Sequence, residues 1–305
     1  MRMKASAAVL ALALAAASLA QAALPPVDPP FAARDYVADG IFTQGIEGPA
    51  VGPDGLLYVV NFGRDGTIGR VRPQADGSGR AELFVALPEG SVGNGIRFGR
   101  DGTMYVADYQ GHNVLKIDLD DRRIARHTHQ PAMDQPNDIA VTNGDVLFAS
   151  DPDWANGSGK LWRIDRDGST HLLETGMGTT NGVEVSADGK RLYVNESVQR
   201  KVWEYALSPQ GEISDKRLLI EFADHGLDGM RCDDQGNLYI ARYGAGVVAI
   251  VSPQGALLRE VALKGAKPTN VAFGGPDGRT VYVTLQDRGA VETFRTEHPG
   301  RERDH

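Results

Sequence analysis

A turn-and-strand phrase recurs six times along the sequence, at intervals of 43 to 47 residues, and this repeat constrains the fold more than any other feature. In most copies an Asp-Gly or Asn-Gly pair precedes β-branched and aromatic residues, a pattern typical of hairpin turns. The copies are GPDGLLYVV at 52–60, GRDGTMYVAD at 99–108, TNGDVLFASD at 142–151, SADGKRLYVNES at 186–197, DDQGNLYIAR at 233–242 and GPDGRTVYVT at 275–284. One marker aromatic stands in each: Tyr58, Tyr105, Phe148, Tyr193, Tyr239 and Tyr282.

The repeat length predicts an all-β fold, a six-bladed β-propeller with four-stranded blades. Each copy holds short segments with period-two alternation, as in NGIRFG, TMYVAD, NVLKIDL and RIARHTH of the second copy. A four-stranded unit of ~40–50 residues is a propeller blade. A helical solenoid lacks its 3.6-residue periodicity here, and two β-sandwiches would not produce six copies in register. We expect one propeller over residues 35–305, closed by Asp35–Phe42 as the N-terminal, outermost strand of the last blade.

The first 34 residues are expected to lie outside the propeller. Residues 1–22 have the pattern of a secretory signal peptide: Arg2 and Lys4 precede an apolar run, and a small-residue cleavage site ends near Ala22. Residues 23–34 form a Pro-rich leader. We therefore expect a periplasmic or secreted protein with no membrane association after cleavage.

Composition limits the partners. The formal net charge is −8, which argues against nucleic acid because phosphate binding needs basic patches. The single cysteine, Cys232, excludes an internal disulfide and a cysteine-rich zinc site.

An oxygen-bearing side chain stands eleven or twelve residues before every marker aromatic. These positions begin the innermost strand of each blade, so all six side chains can converge on the central channel. Two acids and four asparagines, with no His or Cys, are the donor set of a hard divalent cation, and Ca²⁺ is the natural expectation. Asn-Gly pairs are also ordinary turn chemistry, but six positions in register favour a ligand set. The positions are Glu47, Asn94, Asn137, Asn181, Asp228 and Asn270.

The motifs around these positions carry a family resemblance. They are IEGPAVGPDGLLYV, QPNDIAV, TNGVEVSADGKRLYVNES, DGMRCDDQGNLYIARYG and PTNVAFGGPDGRTVYVT, with the ending VETFRTEHPGRE. Together they resemble the SMP-30/gluconolactonase family of six-bladed propellers, from about Gly45 to Glu302. The resemblance implies one divalent cation, usually Ca²⁺, held by Glu47, Asn181 and Asp228.

The same resemblance implies a function. Family members hydrolyse lactones of sugar acids, and relatives of this propeller cleave organophosphates. Asn137 inherits the role of a metal or substrate ligand, and Asp228 inherits the acid/base or nucleophile role. Gln135 stands where animal lactonases often have a substrate-holding arginine, and Ala50 where a tryptophan is common, which leaves the particular lactone open. The expected substrate-binding residues are Asn94, Gln135, Asn137, Trp154 and Asn270.

These residues predict a cation-dependent lactonase. Asp228 is the expected base for the attacking water, and His225 is a rival base. A non-catalytic propeller that binds a sugar, peptide or partner through its faces, as NHL-like propellers do, is the alternative from another class. Phosphotriester hydrolysis on the same cation is a third reading. The ring of oxygens favours an enzyme, because a scaffolding propeller needs no such channel.

Overall fold

Residues 29–301 are described by a computed structural model, and within them 24 strands form six four-stranded sheets. The innermost strands are β2 (Phe42–Val51), β6 (Gly93–Phe98), β10 (Ile139–Val141), β14 (Thr180–Val185), β18 (Met230–Cys232) and β22 (Pro268–Gly274). The second strands are β3 (Leu57–Phe62), β7 (Met104–Asp108), β11 (Leu147–Asp153), β15 (Arg191–Glu196), β19 (Leu238–Arg242) and β23 (Thr280–Leu285). The third strands are β4 (Thr67–Pro73), β8 (Asn113–Ile117), β12 (Ser158–Ile164), β16 (Lys201–Leu207), β20 (Val247–Val251) and β24 (Ala290–Arg295). The outermost strands are β5 (Gly79–Ala86), β9 (Ile124–His129), β13 (Thr170–Met177), β17 (Ile213–Glu221), β21 (Leu257–Ala262) and β1 (Arg34–Val37).

The six sheets are arranged as a ring. Each innermost strand contacts the innermost strand of the next sheet, and β22 of the last sheet contacts β2 of the first. Each sheet is therefore a blade, and the predicted six-bladed propeller is confirmed.

The last blade takes its outermost strand from the N-terminal side of the chain. Strand β1 pairs antiparallel with β24, and the ring of Tyr36 lies 4.9 Å from that of Tyr282. Asp35 forms an ion pair of 2.8 Å with Arg288. The predicted strand over Asp35–Phe42 is shorter in the structure. The chain must turn after β1, where Gly40 has a positive φ of 72°, to enter β2 of the first blade.

The marker aromatics pack between neighbouring blades. Among the described residues, each of the six belongs to a different hydrophobic cluster. Tyr58 of the first blade, for example, contacts Phe84 edge-on at 5.0 Å and reaches Phe98 of the second blade at 5.7 Å. The repeat seen in the sequence is thus the repeat of the interface between blades, and apolar burial there holds the ring together.

The signal peptide expected at residues 1–22 lies outside the described residues, as do residues 23–28 of the leader and residues 302–305. Within 29–301, no helix is long and apolar enough to cross a membrane. The domain boundaries proposed from the sequence stay a prediction.

Candidate active site

The predicted oxygen-bearing residues meet at one end of the central channel. A cavity of about 670 Å³ opens there, within the range of ~300–1,000 Å³ common for small-molecule sites. Asn137 and Asp228 each stand two residues before the short strands β10 and β18, and the others lie within inner strands. Five of the six positions line the cavity: Glu47, Asn94, Asn137, Asn181 and Asp228.

Glycines next to these positions let the inner strands approach one another. A Cβ on Gly229, directly after Asp228, would lie 1.9 Å from the Cγ of Asn270 in the next blade. A Cβ on Gly48 would lie 1.9 Å from the carbonyl oxygen of Asn94, and its φ of +57° favours glycine as well. The glycines of the recurring acid-Gly and Asn-Gly pairs therefore allow neighbouring inner strands to pack closely together.

Three side-chain oxygens in the cavity wall have no hydrogen-bond donor. The Oδ1 atoms of Asn94, Asn137 and Asn181 are buried and unpartnered. Leaving such an acceptor unsatisfied costs about 1–3 kcal/mol. Three of them around one cavity, beside two carboxyl groups, form an arrangement that a cation would satisfy.

The two carboxyl groups of the cavity floor perturb each other. Burial, followed by the negative charge of Asp138, raises the pKa of Glu47 to about 7. Burial and the neighbouring Glu47 raise the pKa of Asp228 well above its usual range, and a hydrogen bond joins the two carboxyl groups. Such a pair shares a proton unless a positive charge sits between its members.

The donor set selects the kind of metal. No group of three His, Cys, Asp or Glu side chains within residues 29–301 is placed to hold a metal. The five predicted positions that line the cavity instead offer two carboxylates and three carboxamides, a set of oxygen donors only. Oxygen donors suit Ca²⁺ and related hard cations, whereas zinc prefers nitrogen and sulfur. The residues present fit a hard divalent cation.

A buried charged layer lies behind this floor. Asp138 accepts from two arginines, with Arg97 Nη1 at 3.2 Å from Oδ1 and Arg231 Nη1 at 3.5 Å from Oδ2. Arg231 also donates to the Oδ1 of Asn270 at 3.2 Å, and the amide of Asn270 donates to Glu47 Oε2 at 3.0 Å. Asn270, expected to bind substrate, is therefore outside the cavity lining and orients Glu47 from behind.

Sequence reasoning missed this layer, although a signal was present. The segments NGIR at 94–97 and DGMR at 228–231 place an arginine three residues after a cavity position, on inner strands that are otherwise apolar. A third segment, NGVE at 181–184, places Glu184 at the same point. Glu184 contacts Arg97 at 3.7 Å and accepts from Arg301 at 2.5 Å.

The cavity wall contains the remaining candidates, except for one. Trp154 lines the cavity and is 38% exposed, and His225 lines it too. Gln135 is not among the lining residues. Its backbone N–H donates to Asp151 at 2.6 Å, while its side chain lies beside Tyr109, a phenol of the wall whose pKa is raised by burial.

Fold and site together define a class: six-bladed propellers with an oxygen-donor site at one mouth of the channel. The family described as the SMP-30/Gluconolactonase/LRE-like region matches residues 47–287. The chain belongs to this family.

Individual relatives agree with that assignment. The chain is 32% identical over 242 residues to the pentonolactonase XacC of Haloferax volcanii, covering 78% of this chain and 80% of that protein. It is 28% identical over 233 residues to a gluconolactonase of Zymomonas mobilis, covering 68% of this chain and 65% of that protein. A solved calcium-binding protein, regucalcin from Agrobacterium tumefaciens, superposes with a TM-score of 0.76 at 20% identity, over 88% of this chain and 95% of that one. This last likeness shows the fold.

Proposed function

We propose that this protein is a lactonase that hydrolyses a sugar-acid lactone, such as gluconolactone, with the help of one divalent cation, Ca²⁺. The observation that carries the proposal is the convergence of three unpartnered amide oxygens and an acid pair on one cavity. The names of the relatives, a pentonolactonase and a gluconolactonase, support the substrate class. A propeller that binds a partner through its faces would need this donor set only if the cation were structural.

Four residues hold the cation in this proposal: Glu47, Asn137, Asn181 and Asp228. When bound, the cation polarises the lactone carbonyl and offsets the charge that develops on its oxygen. Asn94, which also lines the cavity and whose side-chain oxygen has no hydrogen-bond partner, is left for the substrate. Asn270 and Arg231 keep Glu47 in position through the hydrogen bonds described above.

Proton transfer falls to the chain itself. A water attacks the carbonyl carbon, Asp228 accepts a proton from it, and the ring C–O bond breaks. The proton then goes to the departing ring oxygen, which leaves as a hydroxyl group, so that a hydroxy acid is formed. His225 lines the same cavity and is the second candidate for this role.

We also propose that the protein acts in the periplasm or outside the cell. The support is the sequence of residues 1–22 alone: two basic residues, an apolar run and a small-residue cleavage site near Ala22.

The test is hydrolysis of D-glucono-1,5-lactone, followed as proton release, with added Ca²⁺, with EDTA and in Asp228→Asn. We expect EDTA and the substitution each to lower the rate at least about 100-fold, the scale of a lost acid/base or metal contribution. Asp120→Asn, at an exposed aspartate away from the cavity, is the control and should hydrolyse normally. Ca²⁺ that raises the melting temperature without any hydrolysis would instead support a binding propeller with a structural cation.

A further inference from the structure

One positively charged side chain lies in the wall of the cavity. Arg200 is the only Lys or Arg among the described residues that line it, and its side chain is half-buried. It belongs to the turn between β15 and β16, where its backbone N–H donates to the carbonyl of Glu196 at 2.8 Å. The fold thus fixes the backbone position of Arg200 at the edge of the cavity.

The guanidinium of Arg200 is anchored by backbone carbonyls. Its Nε donates to Phe222 at 3.3 Å and its Nη1 to Val198 at 3.4 Å. A guanidinium carries five N–H donors, so these two bonds leave most of them for another acceptor. No carboxylate of residues 29–301 lies within 4.0 Å of it, in contrast to Arg97 and Arg231 of the buried layer.

The charges that line the cavity indicate what Arg200 could bind. In the proposed function, one divalent cation would offset the negative charges of Glu47 and Asp228 on the cavity floor. The positive charge of Arg200 then remains unbalanced in the cavity wall. Its side chain is half-buried, and its planar set of N–H donors pairs well with a carboxylate.

We propose that Arg200 binds a carboxylate of the substrate at the end remote from the reacting carbonyl, so that the preferred substrate is the lactone of a dicarboxylic sugar acid. This inference rests on the proposed lactonase function. The neutral aldonolactones would then be accepted as substrates that lack one anchoring group.

A matched pair of substrates tests it. D-glucaro-1,4-lactone and D-glucono-1,4-lactone differ only in whether C6 is a carboxylate or a hydroxymethyl group. We expect the Ca²⁺-loaded protein to favour the glucarolactone in kcat/KM by about 10- to 100-fold, the range for a charge-assisted hydrogen bond. Arg200→Gln should remove that preference, chiefly through KM, and leave the rate on the neutral lactone within about twofold.

Two further variants separate charge from shape. Arg200→Lys keeps the charge but loses the fork, and should restore part of the preference. Arg166→Gln, at an arginine 72% exposed in its side chain and not among the cavity-lining residues, should change neither rate. Equal kcat/KM for the two lactones in the unmodified protein, or a preference that survives Arg200→Gln, would overturn the proposal.

A binding measurement keeps the inference separate from the lactonase function. Calorimetry with the open-chain acids D-glucarate and D-gluconate needs no catalysis. If neither lactone is hydrolysed, the proposed function fails, yet tighter binding of glucarate that Arg200→Gln abolishes would still support the carboxylate site. Equal binding of the two acids would reject it.

Discussion

Among single residues, Asn181 and Asn61 form a matched pair, because both are buried asparagines in the cavity wall. The side-chain oxygen of Asn61 accepts from the N–H of Gly66 at 3.1 Å, whereas that of Asn181 has no partner. If the unpartnered oxygen is a ligand, Asn181→Ala should weaken Ca²⁺ binding by about 10- to 100-fold, by analogy with losses at metal sites. Calorimetric titration of the metal-free protein measures this.

The control is Asn61→Gly, which keeps the positive φ of 65° that Asn61 adopts. It removes an internally satisfied amide, so we expect lower stability and unchanged Ca²⁺ affinity of the folded protein. Equal losses of affinity in the two variants would mean that the amide oxygens serve the structure and not the cation.

Five of the six cavity positions could be placed from the sequence, because a fixed distance from the marker aromatic determines where an inner strand starts. The sixth position, Asn270, lies on its inner strand as predicted, but its role could not be predicted because its partners come from other blades. Arg231 donates to its Oδ1, and its amide group donates to Glu47. The role of Asp138 was hidden for the same reason, as Arg97 and Arg231 reach it from two different blades.

At the level of elements, β1 joins the two ends of the ring. Tyr36 of this strand is buried against Tyr282, and a Cβ on Gly79 would lie 2.6 Å from its ring. Tyr36→Ala should lower the free energy of unfolding by about 3 kcal/mol, as large-to-small substitutions in a core do. Urea unfolding measures the change, with Ile41→Ala at a 36% exposed position as the control, expected to cost less than about 1 kcal/mol. A loss no larger than the control's would mean that β1 contributes little to closure.

The inner and outer strands of a blade differ in how well the sequence predicts them. Strands next to the hairpin phrase, such as β7 and β19, are buried throughout and carry β-branched and aromatic residues. The outer strands β17 and β21 are mostly exposed, so their apolar alternation is weak. Blade number follows from the repeat, whereas the limits of the outer strands depend on pairing within the folded sheet.

For the molecule as a whole, the acid pair couples protonation to stability. The pKa of Glu47 is raised from 4.5 to about 7, chiefly by burial. The folded protein therefore keeps a proton that the unfolded chain has already released across this window. Its contribution to the free energy of unfolding falls as the pH rises from about 4.5 to about 7.

A cation reverses this penalty, because ligands must lose their protons before they bind it. Ca²⁺ should therefore raise the melting temperature more at pH 8 than at pH 5, relative to EDTA at each pH. The comparison within one pH removes the effects of other titrating groups that the cation does not touch. Asp228→Asn, which leaves a single carboxylate on the floor, should flatten the difference between the two pH values. An increment that is the same at both pH values in the unmodified protein would show that Glu47 and Asp228 do not hold the cation, since its binding would then displace no proton from them.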